Sequence, residues 1–367
     1  MDEFGASLSL RHTRGLGPRT WKRLLAYYGC ALTAVADSSS WAGRGLASAR
    51  VQAEFMRGAW REKAEEEQAR VKGYGFGTVF WADAAYPVAL REIPDPPLFL
   101  YHLGDPGLLT RPCVAVVGSR DASRYGAGMA ESIAASLSRS GVCVVSGFAQ
   151  GIDRAAHQGA LRGVGGTIAV LGTGLDLVYP ASNTDLWKQI AAHGLIVSEF
   201  PPGTRPESMN FPHRNRIVSG LSLGVLVVEG ALGSGSLITA NLALAQNRDV
   251  FALPGPANLK THQGCHQLIR QGACLVQSGE DILRELHPRL EAHLVADAPS
   301  PPARPREPED PEQLAVHRLL QGGEAVHIDT LARRTGWAAS KVSSTLLFME
   351  LEGIVKQLPG MYYALAT

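Results

Sequence analysis

The stretch Val114–Asp153, VAVVGSRDASRYGAGMAESIAASLSRSGVCVVSGFAQGID, decides the fold. It opens with the apolar run Val114-Ala115-Val116-Val117, which breaks at Gly118-Ser119-Arg120. Ile133, Ala134 and Leu137 follow at three- and four-residue spacing, the period that places side chains on one face of a helix. Gly141 ends that helix, and a second run, Val142-Cys143-Val144-Val145, breaks at Ser146-Gly147. Strand, loop, helix, strand and loop make the βαβ signature of a parallel sheet with helices on its faces. Both loops fall at carboxyl ends of strands, where open α/β sheets place their ligand crevice.

The alternation continues through Thr167–Leu171, Leu195–Val197, Val225–Val228, Asp249–Leu253 and Ala273–Val276. Runs that are apolar on both faces are what a buried parallel sheet requires. The predicted fold class is therefore α/β, a Rossmann-like doubly wound, mostly parallel sheet. A small helical domain precedes it and a winged-helix domain follows. The boundaries read as 1–75, 76–286, a linker at 287–311, and 312–367. The linker, HPRLEAHLVADAPSPPARPREPEDP, is rich in Pro, Ala and charge and has no sustained period. In the last segment a helix from Gln313, the run Thr330–Trp337 with its Gly336 turn, a second helix and a closing hairpin give the winged helix-turn-helix order. Its second helix offers only Ser340, Lys341, Ser343 and Ser344 to a duplex, a thin polar set that favours a protein-contact or accessory role.

In the amino-terminal segment Gly15-Leu16-Gly17-Pro18 precedes a basic helix. The turn resembles helix-hairpin-helix or SAM-like modules, whose open amides accept phosphate; a tight interhelical turn reads equally well. The chain of 367 residues carries a net charge of +1, which neither supports nor excludes nucleic acid. Five cysteines without a CxxC pair argue for a reducing cytoplasm, with no zinc ribbon and no disulfide frame. The expected protein is soluble and cytoplasmic, with neither an export leader nor a membrane span.

The first turn lacks the G-x-G-x-x-G spacing of a dinucleotide site, and no P-loop sequence occurs, so no nucleotide cofactor and no metal are expected. Gly233-Ser234-Gly235-Ser236 with Thr239 is a Gly/Ser loop entering a helix, where unpaired amides favour an anion; a plain N-cap by Ser234 or Ser236 is the bland alternative. In Asn210-Phe-Pro-His-Arg-Asn-Arg216 two arginines follow an aromatic, a set suited to phosphate and base contact. At least one of Arg214 and Arg216 could equally brace a strand end by pairing with Glu199 or Glu229. Arg120, at the first strand end, aims into the crevice.

Taken in order, these segments resemble the DNA-processing protein A family, also called DprA or Smf. The segments are Val117-Gly-Ser-Arg120, Ser146-Gly-Phe-Ala-Gln-Gly-Ile-Asp153, Gly172-Thr-Gly-Leu-Asp-Leu-Val-Tyr-Pro180 with Asn183, and Ser198-Glu-Phe-Pro-Pro-Gly203. Asn210–Arg216, Gly235-Ser-Leu-Ile-Thr-Ala240 and Arg248–Gly255 complete them. Asn247 and His266 depart from the family, which usually has glycine and asparagine there. The resemblance implies a homodimeric, non-enzymatic protein of natural transformation, competence and DNA recombination. Such a protein binds single-stranded DNA, protects incoming strands and helps load the RecA recombinase. It implies a DNA pocket drawn from Gly118, Ser119, Arg120, Ser146, Gly147, Gln150, Gly151, Phe211, Arg214, Asn215, Arg216, Gly235, Ser236 and Thr239.

The alternative is a nucleotide-processing hydrolase of the lysine-decarboxylase-like group. Its PGGxGT loop is followed by a glutamate that this chain lacks. Asp153 and His157, four residues apart on a helix, are the conceivable acid–base pair; a cap plus a surface histidine is the commoner meaning of that spacing.

Overall fold

The computed structural model describes residues 1–297, 310–321, 325–351, 354–358 and 360–365. They form two compact units, Met1–Glu291 and Ala292–Thr367. In the first, the strands are β1 (Gly77–Phe80), β2 (Phe99–Gly104), β3 (Cys113–Val117), β4 (Cys143–Ser146), β5 (Thr167–Val170), β6 (Leu195–Ser198), β7 (Gly224–Val227), β8 (Asp249–Ala252) and β9 (Cys274–Leu275). They make one sheet in the order β1-β2-β6-β5-β4-β3-β7-β8-β9. The pairs β1–β2 and β2–β6 are antiparallel, and the rest of the sheet is parallel. After β3 the chain winds outward through β4, β5 and β6, then returns to lay β7 on the other side of β3. The topological switch point is therefore at β3, flanked by β4 and β7.

The sheet is buried because its side chains alternate between two apolar layers. Val114 and Val116 of β3 pack with Ile133, Ala134 and Leu137 from the helix Arg124–Arg139. Ala115 and Val117 point the other way and join Ile217, Val218, Ala240 and Ala243. Val144 and Val145 of β4 divide between the same two layers.

Residues 1–75 form helices Glu3–His12, Pro18–Tyr28, Ala31–Ala36, Ala49–Arg57 and Arg61–Tyr74. They share an apolar cluster with the sheet: Leu8, Leu24 and Trp41 belong to the cluster that holds Phe99 and Tyr101. Glu67 adds a buried polar tie, bound by Arg11 at 3.0 Å, by His12 at 2.8 Å and by the Tyr101 hydroxyl.

The last helix of this region, Gly279–Asp297, runs into the stretch expected to be linker, so residues 287–297 are helical. Ile282, Leu286 and Leu290 recur every four residues and pack on the sheet-facing cluster, which carries the apolar face past 287. Residues 298–309 of the expected linker lie outside the described residues. No described helix is long and apolar enough to cross a membrane.

In the second unit, helices Pro311–Leu320, Ile328–Thr335 and Ala339–Leu351 accompany a three-stranded antiparallel sheet of Val326–His327, Tyr362–Leu365 and Val355–Leu358. Its own core gathers Val316, Leu331, Val342, Leu346 and Tyr363. Gly336 at φ 71° caps the first helix of the helix-turn-helix. This is the winged-helix order.

Candidate nucleic-acid interface

An open crevice of about 570 Å³ lies at the carboxyl ends of β3, β4 and β7, the switch point of the sheet. Three chain segments build it. The first is the loop after β3. A Cβ on Gly118 would come within 2.6 Å of Ile152, so only glycine lets this loop lie against the helix Ile152–Ala160. The Ile152 amide donates to the Ser119 carbonyl at 3.1 Å, which fixes the loop end. Arg120 follows. It is exposed, its guanidinium lies 5.5 Å from the Phe211 ring centre, and no carboxylate among the described residues pairs with it. It is an unneutralised cation held over an aromatic face, an arrangement suited to a phosphate with a stacked base.

The second segment is the helix Asn210–Gly220. Phe211, Arg214, Asn215 and Val218 line the crevice at the three- and four-residue spacing of one helix face. Arg214 is buried and donates to the Gly147 carbonyl at 2.6 Å and to the Val170 carbonyl. It therefore ties the ends of β4 and β5. Burial lowers the Arg214 guanidinium to about 10, with Asp153 opposing, so it stays charged at neutral pH.

Arg216 is placed differently. Two residues on from Arg214, it turns to the other side of the helix and donates to Glu199 at 2.6 Å, with Asp95 at 3.4 Å. It does not line the crevice. Of the two arginines, Arg216 has the bracing role. Burial pushes the Glu199 carboxyl up, but Arg216, His213 and Arg11 outweigh it and bring it down to about 2.

The third segment is the Gly/Ser loop before the helix Gly235–Ala245. Ser234 occupies the N-cap position, yet its hydroxyl bonds the Ser236 hydroxyl at 2.8 Å and makes no capping bond. The amides of Gly235 and Ser236 have no partner among the described residues and remain open at the positive end of the helix dipole. Thr239 donates to the Gly235 carbonyl at 3.3 Å, and Asn215 ties the two helices by donating to that same oxygen at 3.4 Å. Behind the loop, buried Glu229 accepts from the Ser123 amide at 3.0 Å and from its hydroxyl.

The crevice thus brings together Gly118, Ser119, Arg120, Gly147, Phe211, Arg214, Asn215, Gly235, Ser236 and Thr239. Ser146, Gln150, Gly151 and Arg216 do not line it. The Ser146 hydroxyl is buried on the Val116 carbonyl at 2.6 Å. Gly151, at φ 76°, would place a Cβ 2.3 Å from the Ser119 oxygen, so it shapes the loop. Gln150 lies in an adjoining cleft with Arg120, Tyr179 and Phe211, its amide donating to the Ser182 hydroxyl at 2.7 Å.

Sequence reasoning missed Tyr179, whose exposed ring sits 5.7 Å from Phe211. Ser234, read in the Gly/Ser loop but not among the pocket residues that the resemblance implies, also lines the crevice. Tyr179 stands within a recognised motif, but nothing local to it says that its loop folds over a helix some thirty residues on.

Asp153 and His157 do not form an acid–base pair. Asp153 accepts from the amides of Gly147 and Ala149 at 3.1 and 3.3 Å and so holds the loop after β4. His157 is fully buried rather than at the surface, with Nδ1 2.7 Å from the Thr167 hydroxyl. Burial, with Arg214 nearby, lowers its pKa to about 3, so it is neutral. At the two positions that depart from the family pattern, Asn247 adopts φ 57°, a left-handed conformation that asparagine tolerates better than most residues. His266 bonds the Gly255 carbonyl at 3.0 Å.

Fold and crevice together define a Rossmann-like protein whose switch point carries an open crevice lined by Arg120 and by the free amides of Gly235 and Ser236. A family model described as DNA recombination-mediator protein A matches residues 77–287, and one described as DprA winged helix domain matches residues 300–361. Protein Smf of Synechocystis is 41% identical over 312 residues, covering 77% of this chain and 78% of the relative. The DNA processing protein DprA of Streptococcus pneumoniae is 49% identical over 203 residues, covering 55% and 72%.

The X-ray structure of DNA processing protein A from Streptococcus pneumoniae superposes with a TM-score of 0.67 at 38% identity, over 78% of this chain and 98% of that one. The structure of the Helicobacter pylori protein, reported for its unique single-stranded DNA binding mode, gives 0.53 at 32% identity, over 58% and 96%. The chain belongs to the DNA recombination-mediator protein A family.

Proposed function

We propose that this protein binds single-stranded DNA in the crevice without cutting it. It serves natural transformation and recombination in the cytoplasm by protecting incoming strands and helping to load the RecA recombinase. It acts as a homodimer through the Rossmann-like unit. The observation that carries the reading is Arg120, a guanidinium over Phe211 with no carboxylate partner among the described residues, in the crevice that also holds the open amides of Gly235 and Ser236. Phosphate meets the cation and the amides, while the exposed Tyr179 ring and the half-buried Phe211 ring receive bases.

Family membership supports the reading, as does the single-strand binding reported for the Helicobacter pylori relative. Binding is favoured over hydrolysis because Asp153, the only acid among the described residues that line the crevice, is occupied by two backbone amides. In this reading the ten expected residues that line the crevice make or shape the DNA contact, and Ser146, Gln150, Gly151 and Arg216 support it from behind or beside.

The test is fluorescence anisotropy with labelled single-stranded and duplex oligonucleotides across a salt series. Wild type should prefer single strands, with affinity that falls as salt rises. Absence of single-strand binding sinks the proposal. RecA filament growth on single strands coated with a binding protein then tests the loading step, and a size measurement in solution tests the dimer.

A further inference from the structure

The first sixty residues carry eight Lys/Arg against four Asp/Glu, a net +4 in a chain whose total is +1. Part of this charge gathers around an open groove of about 690 Å³ between the Arg14–Gly15 turn and the helix Ala49–Arg57. Arg50, Glu54 and Arg57 recur at four- and three-residue spacing and face the groove together. Gly15 adopts φ 80°, and a Cβ there would meet Val51 at 3.7 Å, so the turn closes against that helix.

Glu54 is the only carboxylate among the described residues that line the groove, and Arg57 takes it at 3.0 Å. Arg14 and Arg50 are exposed and, among the described residues, have no carboxylate within 4.0 Å. The Gly15 and Gly17 amides also make no hydrogen bond among the described residues. Gly17 is the N-cap of the helix Pro18–Tyr28, so the positive end of that helix adds to the field. Three guanidiniums facing one acid repel each other until an anion enters, and arginine forks match phosphate oxygens in pairs. No aromatic ring among the described residues lines the groove, so it suits backbone phosphates rather than stacked bases.

We infer that this amino-terminal groove is a second DNA-backbone site, separate from the sheet crevice, reading phosphodiester charge without regard to sequence. The inference rests on the proposed function only for the identity of the polyanion. Two sources share this chemistry: a single strand running beyond the crevice, or flanking duplex.

The experiment uses the full chain with single strands of about 6 nucleotides, near the low end of a one-groove footprint, and of about 40 nucleotides. A duplex of the longer length completes the set, and each is titrated across salt. The double variant R14A/R50A should bind the longer DNA at least about fivefold more weakly. It should also flatten the log K against log salt slope by roughly 1.4 on single strands, or roughly 1.8 on duplex, for two lost phosphate contacts. Binding of the short strand should not change.

R14K/R50K, which keeps the charge, should restore most of the slope. Both sites are exposed, so melting temperatures should match wild type. A loss confined to single strands assigns the groove to the running strand, and one confined to duplex assigns it to flanking duplex. Unchanged affinity and slope on both long ligands overturn the inference. The crevice is read separately: R120A should lose the short strand whichever way the groove behaves, and a short strand unaffected by R120A fails the crevice alone.

Discussion

Arg216 donates to Glu199 at 2.6 Å with the arginine 3% exposed, and this pair closes the back of the helix whose opposite face forms the crevice wall. Breaking one half leaves a buried charge without its partner. Arg216→Ala should cost roughly 3–5 kcal/mol in a denaturant titration. The fraction that remains folded should bind single-stranded DNA within about twofold of wild type. A large affinity loss with unchanged stability would place Arg216 at the DNA instead.

Arg120 should show the reverse pattern, because it is exposed and makes no ion pair among the described residues. Arg120→Ala should leave the melting temperature unchanged and flatten the single-strand salt slope by about 0.7. Arg120→Lys should keep the slope and still bind more weakly, since an ammonium lacks the planar five-donor fork that arginine holds 5.5 Å from the Phe211 ring centre. Anisotropy across salt checks both.

Acid should destabilise the first unit through two buried groups. The folded pKa of Glu199, about 2, lies below its ordinary 4.5, so its contribution is complete above about 4.5 and is lost as pH falls toward 2. His157 is held neutral, with a folded pKa of about 3 against an ordinary 6.5. The unfolded chain takes up that proton first, so stability drops as pH falls from about 6.5 toward 3, by roughly 1.4 kcal/mol per pH unit for one proton. His157→Gln should reduce the slope between pH 6 and 5, leaving the part that His262 and His102, both also lowered by burial, supply; denaturant midpoints at each pH read it.

The loop glycines should separate by what a methyl group meets. Gly118→Ala places a Cβ 2.6 Å from Ile152 and should cost about 1–3 kcal/mol while displacing Arg120. Gly151→Ala should be at least as harmful, with φ 76° and the Ser119 oxygen 2.3 Å away. Gly235→Ala meets nothing within 4 Å, so it should leave stability unchanged to within about 0.5 kcal/mol. Thermal melts of the three variants decide this.

Much of the architecture was present in the linear order of residues. Runs such as Val114–Val117 and Val225–Val228 are apolar at consecutive positions, a pattern that fits a strand covered on both faces, so a doubly wound sheet followed from local chemistry. The loops at the strand ends, with Arg120 and the Gly/Ser turn, followed for the same reason: where a strand stops is a local property. Residues far apart in the chain were decided only by the fold. Arg214 and Arg216 are the same side chain two positions apart, and only the packing of their helix turns one to the crevice and the other to Glu199. His157 looked like a surface residue until the helix docked and buried it beside Thr167. Tyr179 joined Phe211, and the helices of residues 1–75 joined the core of the sheet, through contacts between segments that no local pattern records. Periodicity fixes which face of an element is apolar; what that face meets depends on three-dimensional packing, and the site is built there.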